Sequence, residues 1–152
     1  MRAVIQRVKN SSVSVDGEIK GSVGKGYNVL LGVMEGDGKA QAELLAAKIS
    51  KLRVFEDEAG KMNKSVLDIN GEILVISQFT LCADIRKGNR PSFTDSAAPD
   101  EANALYEYFC ECLLANGVSK VEKGVFAAEM LVKIDNDGPV TIVMDTDIWD
   151  KR

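Results

Sequence analysis

Short apolar or alternating segments recur along most of the chain, and this pattern predicts a β-rich fold. Residues 2–9 form a first predicted strand, and the alternating segments 12–15 and 18–20 flank Asp16-Gly17. An Asp-Gly pair between alternating segments predicts a hairpin, because both central turn residues must tolerate positive φ. Residues 27–33 are mostly apolar and predict a further, largely buried strand.

Helical spacing of apolar residues occurs in two places. Asp37 is predicted to cap a helix that runs to about Leu52. Pro99 suits the first turn of a second helix, where its missing N–H costs nothing, and Asn116-Gly117 suits its end. Residues 53–56 predict a short strand between the two helices, and residues 83–96 predict a long polar loop.

The segment 72–82 is the most informative part of the chain. Residues 73–76 are an unbroken aliphatic run, typical of a strand buried on both faces. The Asn70-Gly71 pair before it, with residues 65–69 on the other side, predicts a second hairpin. Directly after the run come Ser77-Gln78-Phe79-Thr80. Burying polar side chains at the end of a strand costs free energy unless they form hydrogen bonds or take part in function. A functional site is therefore expected here.

The last third of the chain predicts three strands, at residues 125–126, 130–134 and 140–144. Asn136-Asp137-Gly138-Pro139 separates the last two and has two interpretations. It is a plain Asp-Gly turn with proline opening the next strand, or it contains a cis Gly138–Pro139 peptide bond. Together the elements predict a mixed α/β, β-rich single domain over residues 1–152, with a largely antiparallel sheet and two main helices.

Composition narrows the possible chemistry. The 152 residues include three cysteines and no histidine, so neither a Ser-His-Asp triad nor the usual zinc site is possible. Hydrolysis would have to use backbone donors, hydroxyls, carboxylates, lysine or the substrate itself. No apolar run approaches the ~20 residues of a membrane span, so we expect a cytoplasmic protein with no membrane partner. The net charge of −4 requires any nucleic-acid contact to be local.

Two motifs resemble the signature of the D-aminoacyl-tRNA deacylase family: Ser77-Gln78-Phe79-Thr80-Leu81 and Asn136-Asp137-Gly138-Pro139-Val140-Thr141. Three further segments, residues 1–8, 52–57 and 87–93, are similar to the same family and occur in the same order. The resemblance implies a three-layer β/β/α fold and a homodimer. It implies hydrolysis of the ester of D-aminoacyl-tRNA and of glycyl-tRNA, with L-aminoacyl esters rejected and with no cofactor or metal.

The resemblance also implies roles for individual residues. Ser77, Gln78, Phe79 and Thr80 would line the pocket for the amino acid and the terminal adenosine. A cis Gly138–Pro139 bond, braced by Arg7, would enter the partner subunit's pocket. The remaining substrate-binding residues would be Phe126 and Met130 in the pocket wall, and Lys87 and Arg90 at the 3′ end of the tRNA.

Alternatives remain open at this point. The Phe79 and Thr80 backbone N–H groups are expected to stabilise an oxyanion while the ribose 2′-hydroxyl assists, but a Thr80 nucleophile is the competing mechanism. An RNA-binding module without catalysis and an editing hydrolase for small L-aminoacyl esters are the rival functions. Four aspartates have two interpretations, a weak cation site or a solvated strand end: Asp135, Asp137, Asp145 and Asp147. The chain departs from the family at Ala127, where glycine is common. The added methyl group is expected to narrow the pocket slightly at this wall.

Overall fold

The computed structural model describes residues 1–149, which form eight strands and three α-helices. The strands are β1 Arg2–Val15, β2 Glu18–Val23, β3 Gly26–Gly32, β4 Phe55–Glu56, β5 Met62–Lys64, β6 Glu72–Ser77, β7 Lys120–Lys123 and β8 Leu131–Asp145. The helices are α1 Lys39–Lys51, α2 Pro99–Ala115 and α3 Thr146–Trp149, and a 3-10 helix spans Phe79–Cys82. Within residues 1–149, no helix has the length and apolar character needed to cross a membrane.

The long strand β1 organises the sheet. Its first half pairs antiparallel with β3, its second half with β2, and β8 runs antiparallel along both halves. The predicted hairpin at Asp16-Gly17 is confirmed, with φ of 50° and 79° at the two turn residues. These values need residues that tolerate the left-handed region, which is the physical basis of the sequence signal.

The hairpin predicted at Asn70-Gly71 is wrong. Residues 66–70 form turns, and β6 instead lies parallel between β3 and β7. The pairing starts where the Glu72 N–H donates to the Lys25 carbonyl at 3.0 Å. Asn70 does adopt positive φ, at 53°, so the turn residue was identified correctly but its partner strand was not. The parallel partners come from distant parts of the chain, which local turn chemistry does not reveal.

The two faces of β6 pack against different layers. Ile73 and Val75 belong to the main core beneath α1 and α2, whereas Leu74 and Ile76 pack with Val13 and other residues of a smaller second core. The four side chains of residues 73–76 are all buried, as the unbroken aliphatic run predicted. The predicted three-layer β/β/α arrangement, strand-rich and mostly antiparallel, is therefore confirmed.

The helix predictions are confirmed with one correction at a cap. α2 begins at Pro99 as expected, and α1 begins at Lys39. Asp37 is not the cap of α1: the cap position is Gly38, whose N–H donates to Gln41 Oε1 at 2.8 Å. The Asp37 carboxylate instead accepts hydrogen bonds from the Met34 N–H and from the amino group of Met1. Leaving the buried ammonium group of Met1 without an anion would cost more free energy than leaving α1 without a side-chain cap.

Two predictions in the last third of the chain are corrected. Residues 125–126 are not a strand but belong to a turn over residues 125–128, and the strand here is β7. The segments 130–134 and 140–144 are not two hairpin strands, because both belong to β8 and both pair with β1. The plain-turn interpretation of residues 136–139 is therefore wrong, and the Gly138–Pro139 bond is cis.

Two buried tyrosines in the main core provide a matched stability test. The Tyr27 hydroxyl has no hydrogen-bond partner within residues 1–149, whereas the Tyr106 hydroxyl donates to the Val75 carbonyl at 2.7 Å. Burial raises the pKa of both groups, so each stays neutral at ordinary pH. We expect Tyr27→Phe to stabilise the protein by ~1 kcal/mol, because an unpaired buried hydroxyl is removed.

Tyr106→Phe should have the opposite sign, with a loss of ~1 kcal/mol, because the hydrogen bond to the Val75 carbonyl is lost; that carbonyl still accepts the Gly124 N–H at 3.3 Å. Thermal and urea unfolding of the two variants measure the difference directly. A change of ~1 kcal/mol should move the melting temperature by about 2–4 °C in a protein of this size. An equal decrease in melting temperature for both variants would contradict the conclusion that the Tyr27 hydroxyl is unpaired and the Tyr106 hydroxyl is paired.

Candidate active site

A cavity of about 470 Å³ opens where β6 ends. Its walls are the end of β6 with the following 3-10 helix, the start of α2, and the segment 126–132. This volume lies in the range typical of small-molecule sites. Of the residues predicted for the site, the cavity is lined by Ser77, Gln78, Phe79, Phe126 and Met130.

Two backbone donors beside this cavity lack partners. The Gln78 N–H donates to the Leu31 carbonyl at 2.8 Å, and the Leu81 N–H donates to the Gln78 carbonyl at 3.2 Å. Within residues 1–149, the N–H groups of Phe79 and Thr80 have no hydrogen-bond acceptor. They begin the 3-10 helix, and the first N–H groups of any helix have no intrahelical carbonyl to bind. Both donors can therefore bind a developing negative charge.

Within residues 1–149, the side chains around these donors include no carboxylate, lysine or histidine that could act as a base. Gln78 Nε2 donates to Thr80 Oγ1, and within residues 1–149 no carboxylate or lysine forms a hydrogen bond with that hydroxyl. Thr80 is exposed and does not line the cavity. The titratable side chain in the cavity wall is Tyr106, whose pKa is raised by burial. The arrangement favours electrostatic stabilisation over nucleophilic catalysis by threonine.

The 3-10 helix is held in place by residues outside the two signature motifs. A Cβ atom added at Gly32 would lie 3.0 Å from the Leu81 Cβ and 3.1 Å from the Gln78 carbonyl oxygen. Arg2 Nη1 donates to the Leu81 carbonyl at 2.9 Å, while Arg2 Nε contacts Asp145. Gly32 therefore lets the helix pack directly on the end of β3, and Arg2 supports it from β1.

The opposite wall contains a strained turn. The Ala128 N–H donates to the Val125 carbonyl at 3.2 Å, and Ala127 has φ of 64°. Glycine is the favoured residue at such a position, and an L residue there costs roughly 1–2 kcal/mol. Gly124 precedes the turn, and a Cβ there would lie 2.6 Å from Met130 Sδ. The close approach allowed by Gly124 brings Met130 into the cavity wall.

Three predicted site residues lie together but away from the cavity of their own chain. Gly138 and Pro139 are exposed, and neither lines the cavity. Arg7 is buried behind them, where Nε donates to the Asp137 carbonyl at 3.2 Å and Nη1 to the Val54 carbonyl at 2.6 Å. The Arg7 guanidinium also pairs with the Asp137 carboxylate at 3.5 Å. Gly138 and Pro139 are thus exposed, while the buried Arg7 holds the preceding residue, Asp137, in place.

Lys87 and Arg90 lie on a projecting hairpin beside the site, which we name the basic hairpin (residues 84–92). Its ends are joined by paired hydrogen bonds between Asp84 and Ser92, at 2.8 and 3.0 Å. Arg86 folds back onto Asp84 at 2.7 Å and lowers the pKa of that carboxyl to about 2. Lys87 and Arg90 are exposed, do not line the cavity and make no ion pair within residues 1–149.

Within the described chain, the four aspartates considered as a cation site do not form a metal cluster. Asp135 accepts from Asn10, Asp137 pairs with Arg7, and Asp145 pairs with Arg2. Within residues 1–149, no group of three or more histidine, cysteine, aspartate or glutamate side chains is arranged to hold a metal ion.

Comparison with known proteins places this geometry in a family. The profile described as "D-Tyr-tRNA(Tyr) deacylase" matches residues 4–145. A D-aminoacyl-tRNA deacylase of Ruegeria pomeroyi is 60% identical over 95% of this chain and 99% of its own. The corresponding deacylase of Anaeromyxobacter dehalogenans is 56% identical over 96% and 97%.

Two solved structures have the same fold. The c-Myc DNA Unwinding Element Binding Protein superposes with a TM-score of 0.90 at 44% identity, covering 95% of this chain and 98% of that one. A "probable eukaryotic D-amino acid tRNA deacylase" superposes with a TM-score of 0.82 over 94% and 97% of the two chains. At 17% identity the second supports the fold alone. The chain belongs to the D-Tyr-tRNA(Tyr) deacylase family.

Proposed function

We propose that the chain, acting as one domain in the cytoplasm, hydrolyses the ester of D-aminoacyl-tRNA and releases the D-amino acid and tRNA. The observation that carries this proposal is the cavity at the end of β6 with the unpaired N–H groups of Phe79 and Thr80 beside it. The family, whose curated relatives are named for this reaction, supplies the substrate. Glycyl-tRNA is a second proposed substrate.

The proposed mechanism uses the backbone and the substrate. As water attacks the ester carbonyl, its oxygen gains negative charge, and two fixed N–H donors stabilise that charge without reorganisation. The neighbouring ribose 2′-hydroxyl assists proton transfer, because no carboxylate, lysine or histidine among residues 1–149 lines the cavity. A chain without histidine is compatible with this mechanism, because an aminoacyl ester is already activated toward hydrolysis.

The active form is proposed to be a homodimer in which each subunit places Gly138 and Pro139 in its partner's cavity. The support is that these residues are exposed, braced by Arg7 and absent from the cavity of their own chain. β8 pairs only with β1 among the described strands, which leaves one edge of a 15-residue strand open. Open strand edges of this length are usually covered, and a second copy would cover this one.

Discrimination between D and L esters follows from this dimer by exclusion. Rigid carbonyl groups from the partner's projection would bind the α-amino group of the substrate and clash with an L side chain. Glycine has no side chain to clash and remains a substrate. A site that rejects the wrong hand by steric contact can accept many D side chains, because it never needs to bind the side chain itself.

The Thr80 hydroxyl distinguishes the two mechanisms. We expect Thr80→Val, which keeps the shape and removes the hydroxyl, to retain hydrolysis of D-tyrosyl-tRNA within about tenfold, since a neutral hydrogen bond contributes ~1 kcal/mol. Loss of a catalytic nucleophile lowers the rate far more, on the order of 10⁴-fold or more. The measurement is kcat/KM for amino acid release, with unfolding monitored alongside. A loss of that larger size in a folded variant would establish Thr80 as the nucleophile.

The rival functions are separated by a panel of matched esters. The wild-type protein is mixed with D-tyrosyl-, L-tyrosyl- and glycyl-tRNA, with and without chelator. Cleavage of the D and glycyl esters alone, unaffected by chelator, supports the proposal. Cleavage of L-seryl or L-alanyl esters would indicate an editing hydrolase, and tRNA binding without cleavage of any ester would indicate a binding module.

A further inference from the structure

Two phenylalanine rings are exposed side by side at the mouth of the cavity. Phe79 and Phe93 lie with ring centroids 4.9 Å apart in an edge-to-face arrangement. Their exposed fractions are 58% and 36%, so each ring leaves apolar surface in water. Edge-to-face packing explains why the rings touch, but it does not require that either ring stay exposed.

The backbone around Phe93 is anchored although the ring is exposed. It follows the basic hairpin directly, and its carbonyl accepts the Ser96 N–H at 3.1 Å. The backbone on either side is anchored: Ser92 pairs with Asp84, and the Asp95 carbonyl accepts the Glu35 N–H at 2.8 Å. An exposed ring fixed in this way presents a preformed flat surface to a ligand.

The basic hairpin before Phe93 has the opposite charge to the chain as a whole, while Asp95, after Phe93, is an exposed carboxylate. The basic hairpin contains three cations and one carboxylate, a net charge of +2, on a chain with a net charge of −4. Arg86 and Asp84 neutralise each other, which leaves Lys87 and Arg90 exposed and without an ion pair in the described chain. Cations beside an exposed aromatic ring are the usual combination for single-stranded nucleic acid, because the base stacks while the phosphates pair.

We propose that Phe93 stacks on a nucleobase of the single-stranded 3′ end of the tRNA, before the esterified adenosine, while Lys87 and Arg90 bind the adjoining phosphates. The position follows from the two rings. Phe79 lines the cavity that is proposed to hold the esterified nucleoside, whereas Phe93 does not line it and lies beyond Phe79. The base that reaches Phe93 is therefore outside the cavity. This inference rests on the proposed function and adds a recognition site to it.

The test compares two substrates of the same D-amino acid. D-tyrosyl-tRNA contains the single-stranded 3′ end, and 3′-O-D-tyrosyl-adenosine lacks everything before the terminal nucleoside. We expect Phe93→Leu to lower kcat/KM on the tRNA by on the order of tenfold, mainly through KM, with less than a twofold change on the adenosine ester. Phe93→Tyr keeps an aromatic face and should restore the tRNA value. Ile85→Ala, on an exposed apolar side chain of the same hairpin, is the matched control and should change neither substrate.

The outcomes separate this inference from the proposed function. If wild-type protein cleaves neither ester, the proposed function fails. If it cleaves both and Phe93→Leu leaves both rates unchanged, or lowers both equally, the stacking site outside the cavity is overturned. Lys87→Ala and Arg90→Ala should each reduce the slope of log(kcat/KM) against log[salt] by about 0.7 on the tRNA, and an unchanged slope would contradict the phosphate contacts.

A binding measurement covers the case in which Phe93→Leu does not fold. Phe93→Trp keeps a large aromatic face and adds a fluorophore; the wild-type protein, with Trp149 as its one tryptophan, supplies the background. Uncharged tRNA should quench the added emission by stacking, whereas free adenosine should not. Equal emission with and without tRNA, at concentrations where binding is shown by another method, would overturn the proposal.

Discussion

Replacing Gly26 with alanine is expected to prevent the protein from folding to its native state. The added Cβ would lie 1.8 Å from the Glu72 carbonyl oxygen and 2.7 Å from the Glu72 nitrogen, and Gly26 has φ of 156°. The obstructing atoms are backbone atoms of β6, so they move only if the parallel pairing of β3 and β6 breaks. We expect a loss of at least ~4 kcal/mol, a large part of the stability of a typical domain.

The control for this variant is two residues away. A Cβ at Gly24 would meet only the Glu72 side-chain carboxylate, at 3.5 Å, which is ordinary contact with a flexible group. Gly24→Ala should therefore change the unfolding free energy by less than ~1 kcal/mol. Soluble yield and urea unfolding of both variants provide the comparison. A Gly26→Ala protein that unfolds within a few degrees of the wild type would show that β3 and β6 do not approach as closely as described.

A tRNA substrate with a terminal 2′-deoxyadenosine is expected to be hydrolysed about 10²- to 10⁴-fold more slowly than its ribose counterpart. This is the usual contribution of positioned acid–base catalysis, and in this protein the substrate's own hydroxyl is proposed to provide it. The structural reason is that no carboxylate, lysine or histidine among the described residues 1–149 lines the cavity. The hydroxyl of the tyrosine there, Tyr106, is already engaged in a hydrogen bond to the Val75 carbonyl.

Single-turnover release of D-tyrosine from the two esters measures the effect. The uncatalysed hydrolysis of each ester must be measured too, because the missing hydroxyl also changes the intrinsic reactivity of the ester. The relevant quantity is the loss in enzymatic acceleration over that background. Equal acceleration of both esters would exclude assistance by the 2′-hydroxyl and would require a protein acid or base that the described cavity does not show.

Local signals predicted the elements whose chemistry is local. The Asp16-Gly17 hairpin, the start of α2 at Pro99 and the buried character of residues 73–76 were all found where expected. Each depends on residues within a few positions of one another, so a turn preference, a proline at a helix start or an aliphatic run is sufficient.

The predictions that were wrong concern which distant segments meet. Asn70-Gly71 turns the chain as expected, yet β6 pairs with β3 and β7 rather than with its neighbour in sequence. The Asp37 carboxylate binds the Met1 amino group instead of capping α1, a contact made across 36 positions. In both cases a tertiary partner competed successfully with a local one, and no short window of sequence contains that partner.

The candidate site divides in the same way. The sequence by itself determined the polar segment Ser77–Thr80 after a buried strand, the exclusion of histidine chemistry, and, through five similar segments, the family. Only the tertiary structure decided that Phe79 and Thr80 present unpaired N–H groups, that Gly138 and Pro139 lie outside their own cavity, and that Phe93 contacts Phe79. The physical reason is that residue type sets which chemistry is possible, whereas unpaired donors, cavities and ring contacts arise only where distant segments pack together.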